Sequence, residues 1–179
     1  MKIKNIFLHF GLVCNHKWKV FKLCCKIGEP WRGLVHDFSK FSPTEFIESC
    51  KYYVGTHSPI TEAKKDKGYS EAWLHHKGRN KHHPEYWVDD IAPDKTPIIP
   101  YKYAAEMICD KMAAGMAYEK EKFSEQYELD YWNKEKQYEK INSKTEQFVT
   151  AILEQAVEEG ISKTFTKANF RKNYEKYCK

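Results

Sequence analysis

Apolar residues return every three or four positions through most of this chain, and nowhere do they alternate over the length of a strand. From Ile3 to Ile27 the series runs Ile3, Ile6, Phe7, Phe10, Val13, Cys14, Val20, Phe21, Cys24, and Gly28 stands where a helix of that phase stops. The pattern demands helix packed on helix and predicts an all-α fold, a helical bundle.

Punctuation divides the bundle. Pro30 suits the first turn of a second helix, "PWRGLVHDFSK", and "SPTEF" from Ser42 reads as a capping box opening a third helix to about Tyr53. "VGTHSPITEAKKDKG" reads as a loop, Tyr69 to about Gly78 as a fourth helix, and Pro84 as a start or kink. "APDKTPIIP", with three prolines in nine residues, is a stiff connector, and "YKYAAEMICDKMAAGMAYEKEKF" after it is plainly helical. Ser124 to Lys140 reads as a solvated helix broken near Asn142. A Ser-x-x-Glu cap at Ser143 and a stop at Gly160 bound the next helix, and Phe165 to Tyr177 forms a last short one. The expected organisation is a single domain over 1–179, with a core at about 3–118 and a helical C-terminal extension at about 124–179.

With 179 residues, 41 % of them hydrophobic, the chain can bury a core without disulfides. A net charge of +5, spread over scattered lysines, favours anionic substrates and marks no dedicated nucleic-acid surface. The six cysteines, Cys14, Cys24, Cys25, Cys50, Cys109 and Cys178, form no CxxC pair and sit in helical patterns. Free thiols in a reducing, cytoplasmic compartment are expected. The apolar run at the N-terminus is interrupted by His9 and His16 and followed by lysines. It is therefore expected to be a buried helix, neither a signal peptide nor a membrane span.

The chemistry gathers in four places. "LVHDFSKF" holds His36 and Asp37, which cannot share one helix face but can converge in a cleft, with Lys40 about a turn further on. His16 lies on the first helix, seven residues after His9. "AWLHHKGRNKHHPEYW" carries four of the eight histidines in sixteen residues: His75, His76, His82 and His83. Asp110 in "EMICDKMAAG" sits at the edge of an apolar face, where a lone carboxylate is costly unless paired or metal-bound. Glu106, four residues earlier, is placed to orient a ligand or bind the same centre. Mixed imidazole and carboxylate ligands suit Mn, Fe, Zn, Co or Ni.

The order His16, His36-Asp37, His76 with His82-His83, then Asp110 resembles the HD-domain superfamily of metal-dependent phosphohydrolases, in a small branch met in bacteria and phages. The resemblance covers about Ile3 to Tyr118. It implies one ion held by His16, His36, Asp37 and Asp110, and a second held by His76, His82 and His83 with Asp37 as a bridge. The choice of His76 rests on its pairing with His83, and His75 is expected to face elsewhere. Asp37 and Lys40 would be the catalytic pair, with Lys40, Arg79 and Asn80, and Lys77 beside them, contacting the substrate. Water activated by one or two divalent ions, its pKa lowered toward ~7, would attack a phosphoryl group. The implied substrate is a small phosphate mono- or diester, a nucleotide among the candidates. The glycine-rich signature of cyclic-dinucleotide hydrolases is absent.

Three rivals differ in kind. In an HNH nuclease, Asn80 would need two strands between its histidines, and the spacing leaves no room for them. A diiron HD-fold oxygenase would use the same ligands. A non-catalytic, metal-stabilised module would bind a nucleotide or partner without turnover. The tail after Phe123 holds no ligand candidates. Its aromatics Tyr127, Tyr131, Trp132 and Tyr138 favour packing on the bundle, with a homodimer surface as the alternative.

Overall fold

A computed structural model describes residues 2–179. Among these the chain forms ten α-helices joined by turns, with no β-strand. The first, α1 (Ile3–Lys26), ends at Gly28, whose φ of +77° carries the chain out of the helix while Glu29 N–H donates to Cys24 O at 2.8 Å. Its inward face carries His9, Val13, His16, Val20, Leu23 and Cys24, so two histidines share a stripe with the apolar core. Phe7, Phe10 and Trp18 stand outward.

Helix α2 (Pro30–Val35) lies close along α1 through Gly33. It is shorter than "PWRGLVHDFSK" suggests: the helix stops before His36, and Phe38–Phe41 forms a separate 3-10 turn. Helix α3 (Pro43–Lys51) follows, and then α4 (Pro59–Lys67), where the sequence reads as loop. Ser58 caps α4, accepting from Ile60 N–H at 3.3 Å, Pro59 fills its first turn, and Gly68 closes it at φ +79°. The Ser, Pro and Gly that suggested a loop are the helix's start and stop signals. Only Pro59 and Ala63 of α4 are buried, so its apolar period is faint. Helix α5 (Glu71–Lys77) is held to α3 by Glu48, which accepts from Ser70 Oγ at 3.1 Å and pairs with Lys67 at 2.6 Å.

After the connector, α6 (Tyr101–Tyr118) runs through the centre, buried along α1 and against α7 (Glu125–Glu135) and α8 (Ser143–Glu159). The charged segment expected to be a solvated helix to Lys140 instead ends as a helix at Glu135. It buries Trp132, whose indole donates to Thr150 Oγ1 at 2.9 Å. The cap of α8 is Asn142, one residue before the expected Ser143, and its amide also donates to Thr96 O at 2.7 Å, fastening the connector. The last expected helix, Phe165 to Tyr177, is α10 (Lys167–Cys178), and a short α9 (Ile161–Thr164) precedes it, with Phe165 buried at the joint and Thr166 capping α10.

One apolar core runs through the molecule: Val20 and Ile27 beside α6, Met107, Ile108 and Met112 of α6, then Trp132, Phe148, Ile152, Phe165 and Phe170. The C-terminal helices therefore complete the packing of α6. All six cysteines are free thiols, and among the described residues no helix is long and apolar enough to cross a membrane.

Candidate metal centre

Four parts of the chain bring side chains to one buried place beside α6. α1 supplies His16 from its inward face. His36 and Asp37 occupy the break after α2: His36 is extended (φ −51°, ψ 130°) and Asp37 is left-handed (φ 52°, ψ 30°). Neighbours in a helix diverge, and leaving helical geometry lets these two converge. A left-handed non-glycine residue costs about 1–2 kcal/mol. Here the Lys17 ammonium donates to the His36 carbonyl, and Lys40 N–H donates to Asp37 O at 3.0 Å, which offsets part of that cost.

The tandem histidines meet by chain reversal, not on one helix face. α5 ends at Lys77, and Arg79 and Asn80 N–H both turn back to His76 O at 3.1 Å. His82 and His83 then return beside His76 just before the 3-10 turn Pro84–Trp87. Asp110 comes from α6.

Two ligand quartets result, His16, His36, Asp37 and Asp110, and Asp37, His76, His82 and His83, each with donor atoms within 4.8 Å of one another. Asp37 belongs to both. Its Oδ2 lies 3.2 Å from His36 Nε2 and 4.0 Å from His16 Nε2, while its Oδ1 lies 3.3 Å from His76 Nε2 and 3.4 Å from His82 Nε2. Asp110 Oδ1 stands 2.9 Å from His16 Nε2 and 3.3 Å from His36 Nε2. Donors bonded to one ion at ~2.1 Å stand about 3.0–3.4 Å apart in octahedral or tetrahedral arrangements, so most of these spacings fit a common ion. Asp37 Oδ1, His82 Nε2 and His83 Nε2 are buried without a hydrogen-bond partner. Such atoms are costly unless something coordinates them, and the donor set fits a divalent transition metal.

A layer of carboxylates holds the rings. Glu106 Oε1 takes His36 Nδ1 at 3.0 Å and stands 3.4 Å from His82 Nδ1 without a hydrogen bond to it, and Glu106 Oε2 is clamped by Arg32 Nε and Nη2, both at 2.7 Å. Glu45 takes His75 Nδ1 at 2.6 Å and His76 Nδ1 at 2.8 Å. A carboxylate at Nδ1 calls for the Nδ1–H tautomer and frees Nε2 for an ion. Burial opposes charge throughout the cluster. Even so, His36 rises well above an ordinary imidazole beside the Asp37 and Asp110 carboxylates. Against the same burial, Asp37 is held well below the carboxylate range by His36, Lys40 and His76, and Asp110 is lowered by His16 and His36. Burial lowers His16 and, with His82 and His76, His83. Glu106 falls to about 2, its burial outweighed by His36 and His82. Ionised carboxylates beside His16 and His83, whose neutral forms burial favours, suit the uptake of a cation, which would displace the proton from His36.

The cluster opens into a cavity of about 590 Å³. Lys40 lines it, with Nζ 2.6 Å from Asp37 Oδ2, and keeps its proton despite burial because of Asp37. His9 also lines it, packed on Phe46 and Tyr53, and burial and Lys40 depress it to about 4. Arg79, Asn80 and Lys77, expected at the substrate, do not line the cavity. Arg79 is exposed, and the Asn80 amide is spent on Ser39 Oγ at 2.7 Å and His76 O at 2.9 Å, which fixes the turn. His75 lies outside both quartets, on Glu45. Sequence reasoning missed Arg32, and it took Glu45 for half of a capping box. Ser42 does accept from Glu45 N–H at 3.4 Å, but the carboxylate turns to the histidines. The wall built by α7 was missed as well, because its residues bear no ligand signature.

The profile of a family of unknown function, DUF5662, matches residues 5–155, and the chain belongs to that family. No curated protein and no solved structure matches it.

Proposed function

We propose that the protein is a metal-dependent phosphohydrolase acting on a small phosphate ester, a nucleotide among the candidates, in a reducing cytoplasmic compartment to which its free thiols are suited. The observation that carries this reading is the sharing of Asp37, with one oxygen turned to each histidine set. Bound divalent ions would polarise a phosphoryl oxygen and lower the pKa of water to near neutrality. The seven ligand side chains hold the two positions. Lys40 projects from the Phe38–Phe41 turn into the cavity as a permanent cation, where it can hold a phosphoryl oxygen and stabilise charge developing there. Asp37, held far below the usual carboxylate range, acts as ligand and as anchor for Lys40, and is a poor proton acceptor. The order of ligands that resembles the HD-domain superfamily supports the same chemistry.

The test is metal analysis joined to a phosphate-release panel on the wild type and Asp37→Ala. The wild type should carry stoichiometric transition metal and release phosphate. Asp37→Ala should lose metal and more than ~100-fold of activity, beyond the cost of losing a merely supporting group. A metal-free wild type, or full activity in Asp37→Ala, sinks the reading. Oxygen consumption without phosphate release moves the protein to diiron oxygenation.

A further inference from the structure

The cavity continues past the cluster to a wall that the phosphohydrolase reading does not use. Glu128 of α7 is 3 % exposed there, and its carboxyl lies over Gly115 of α6. A Cβ at Gly115 would stand 2.6 Å from Glu128 Oε2 and 2.7 Å from the Phe123 ring, so the glycine keeps the carboxyl's place open. Lys111 faces this wall but is engaged by Glu135 at 2.6 Å and Glu139 at 3.4 Å. Among the described residues nothing hydrogen-bonds or ion-pairs with the Glu128 carboxyl, and burial pushes it up to about 8, with Lys111 opposing and Glu135 and Asp110 adding. Glu85, Glu119, Glu135 and Glu139 line the cavity with it, and the lysines of that lining are Lys111, Lys40 and Lys64. Tyr127 and Tyr131 stand beside Glu128.

Along α6, Gly115 is ~7.5 Å of rise and ~140° of rotation from Asp110. The ligand cluster and Glu128 therefore flank the cavity-facing surface of α6, like the two ends of one binding site. We propose that the α7 wall is a subsite for a positively charged amine on the alcohol portion of the substrate, with Glu128 as the residue that selects it. The inference rests on the phosphohydrolase reading for the position of the phosphate. A bound cation would give the buried carboxyl the partner it lacks and draw it into its ionised form. The faces of the tyrosine rings attract the same charge.

The experiment uses matched phosphate esters on the metal-loaded protein: phosphocholine against 3,3-dimethylbutyl phosphate, phosphoethanolamine against propyl phosphate, and glucosamine 6-phosphate against glucose 6-phosphate. In the wild type, kcat/KM for the amine member of at least one pair should exceed that of its neutral partner by about tenfold or more. In Glu128→Gln that ratio should fall to about one, and in Tyr131→Leu, altered at a half-exposed ring, it should fall part of the way. No preference in any pair, or a preference unchanged in Glu128→Gln, overturns the subsite while leaving the hydrolase reading intact. If no ester is hydrolysed, the hydrolase reading fails instead. Calorimetric binding of the same pairs then decides the subsite: tighter binding of an amine member, lost in Glu128→Gln, supports it, and equal binding overturns it.

Discussion

Glu45 shows a local role yielding to a distant one. Three residues after Ser42 it satisfies the spacing of a capping box, yet its carboxylate leaves the helix terminus and holds both His75 and His76. By fixing the Nδ1–H tautomer it aims His76 Nε2 at Asp37 Oδ1. Glu45→Gln should therefore weaken the His76, His82 and His83 position by about 10–100-fold and spare the His16, His36 and Asp110 position. Titration with Co2+, followed by its visible absorption, separates the two: one of two binding phases should shift. Loss of both phases, or of neither, would contradict the assignment. Asp110 and Glu106 were legible at this scale because an acidic pair four residues apart on an apolar helix face needs partners. Arg79 and Asn80 were misread because a charged side chain near histidines gives no sign of which way its backbone turns.

At the scale of elements, the long periodic helices were legible and the interruptions were not. α1, α6 and α8 carry stripes that repeat over several turns, whereas α4 buries little and so writes no period. The break after α2 is a matter of tertiary packing: the helical pattern continues past His36, and the helix stops where His36 and Asp37 converge on the buried cluster. The packing of α2 on α1 is what places that break. A Cβ added at Gly33 would stand 2.8 Å from Phe21 Cα and 2.8 Å from Cys24 Cβ, neither of which can swing aside. Gly33→Ala should force the helices apart, costing on the order of 1–3 kcal/mol in urea denaturation and weakening metal binding through His36 and Asp37. Unchanged stability and unchanged metal affinity in this variant would mean that the contact does not position the break.

For the whole molecule, ions held as proposed by residues from α1, the α2 break, the turn after α5 and α6 would link parts that are far apart in the chain. A ligand that binds only the folded state at a hundred times its Kd adds about 2.7 kcal/mol of stability. Saturating Mn2+ or Co2+ should accordingly raise Tm by several degrees in the wild type and not in Asp37→Ala, as differential scanning fluorimetry would report. The same architecture bears on how the protein is made. Every proposed ligand has been synthesised once α6 is complete, and α1 already packs along one side of α6, yet its far side stays uncovered until Trp132, Phe148 and Phe170 close the core. A nascent chain ending at Tyr118 would own all seven candidate ligands and still lack half of the packing around the helix that carries Asp110, so the proposed capture of metal would be completed only as the last helices emerge.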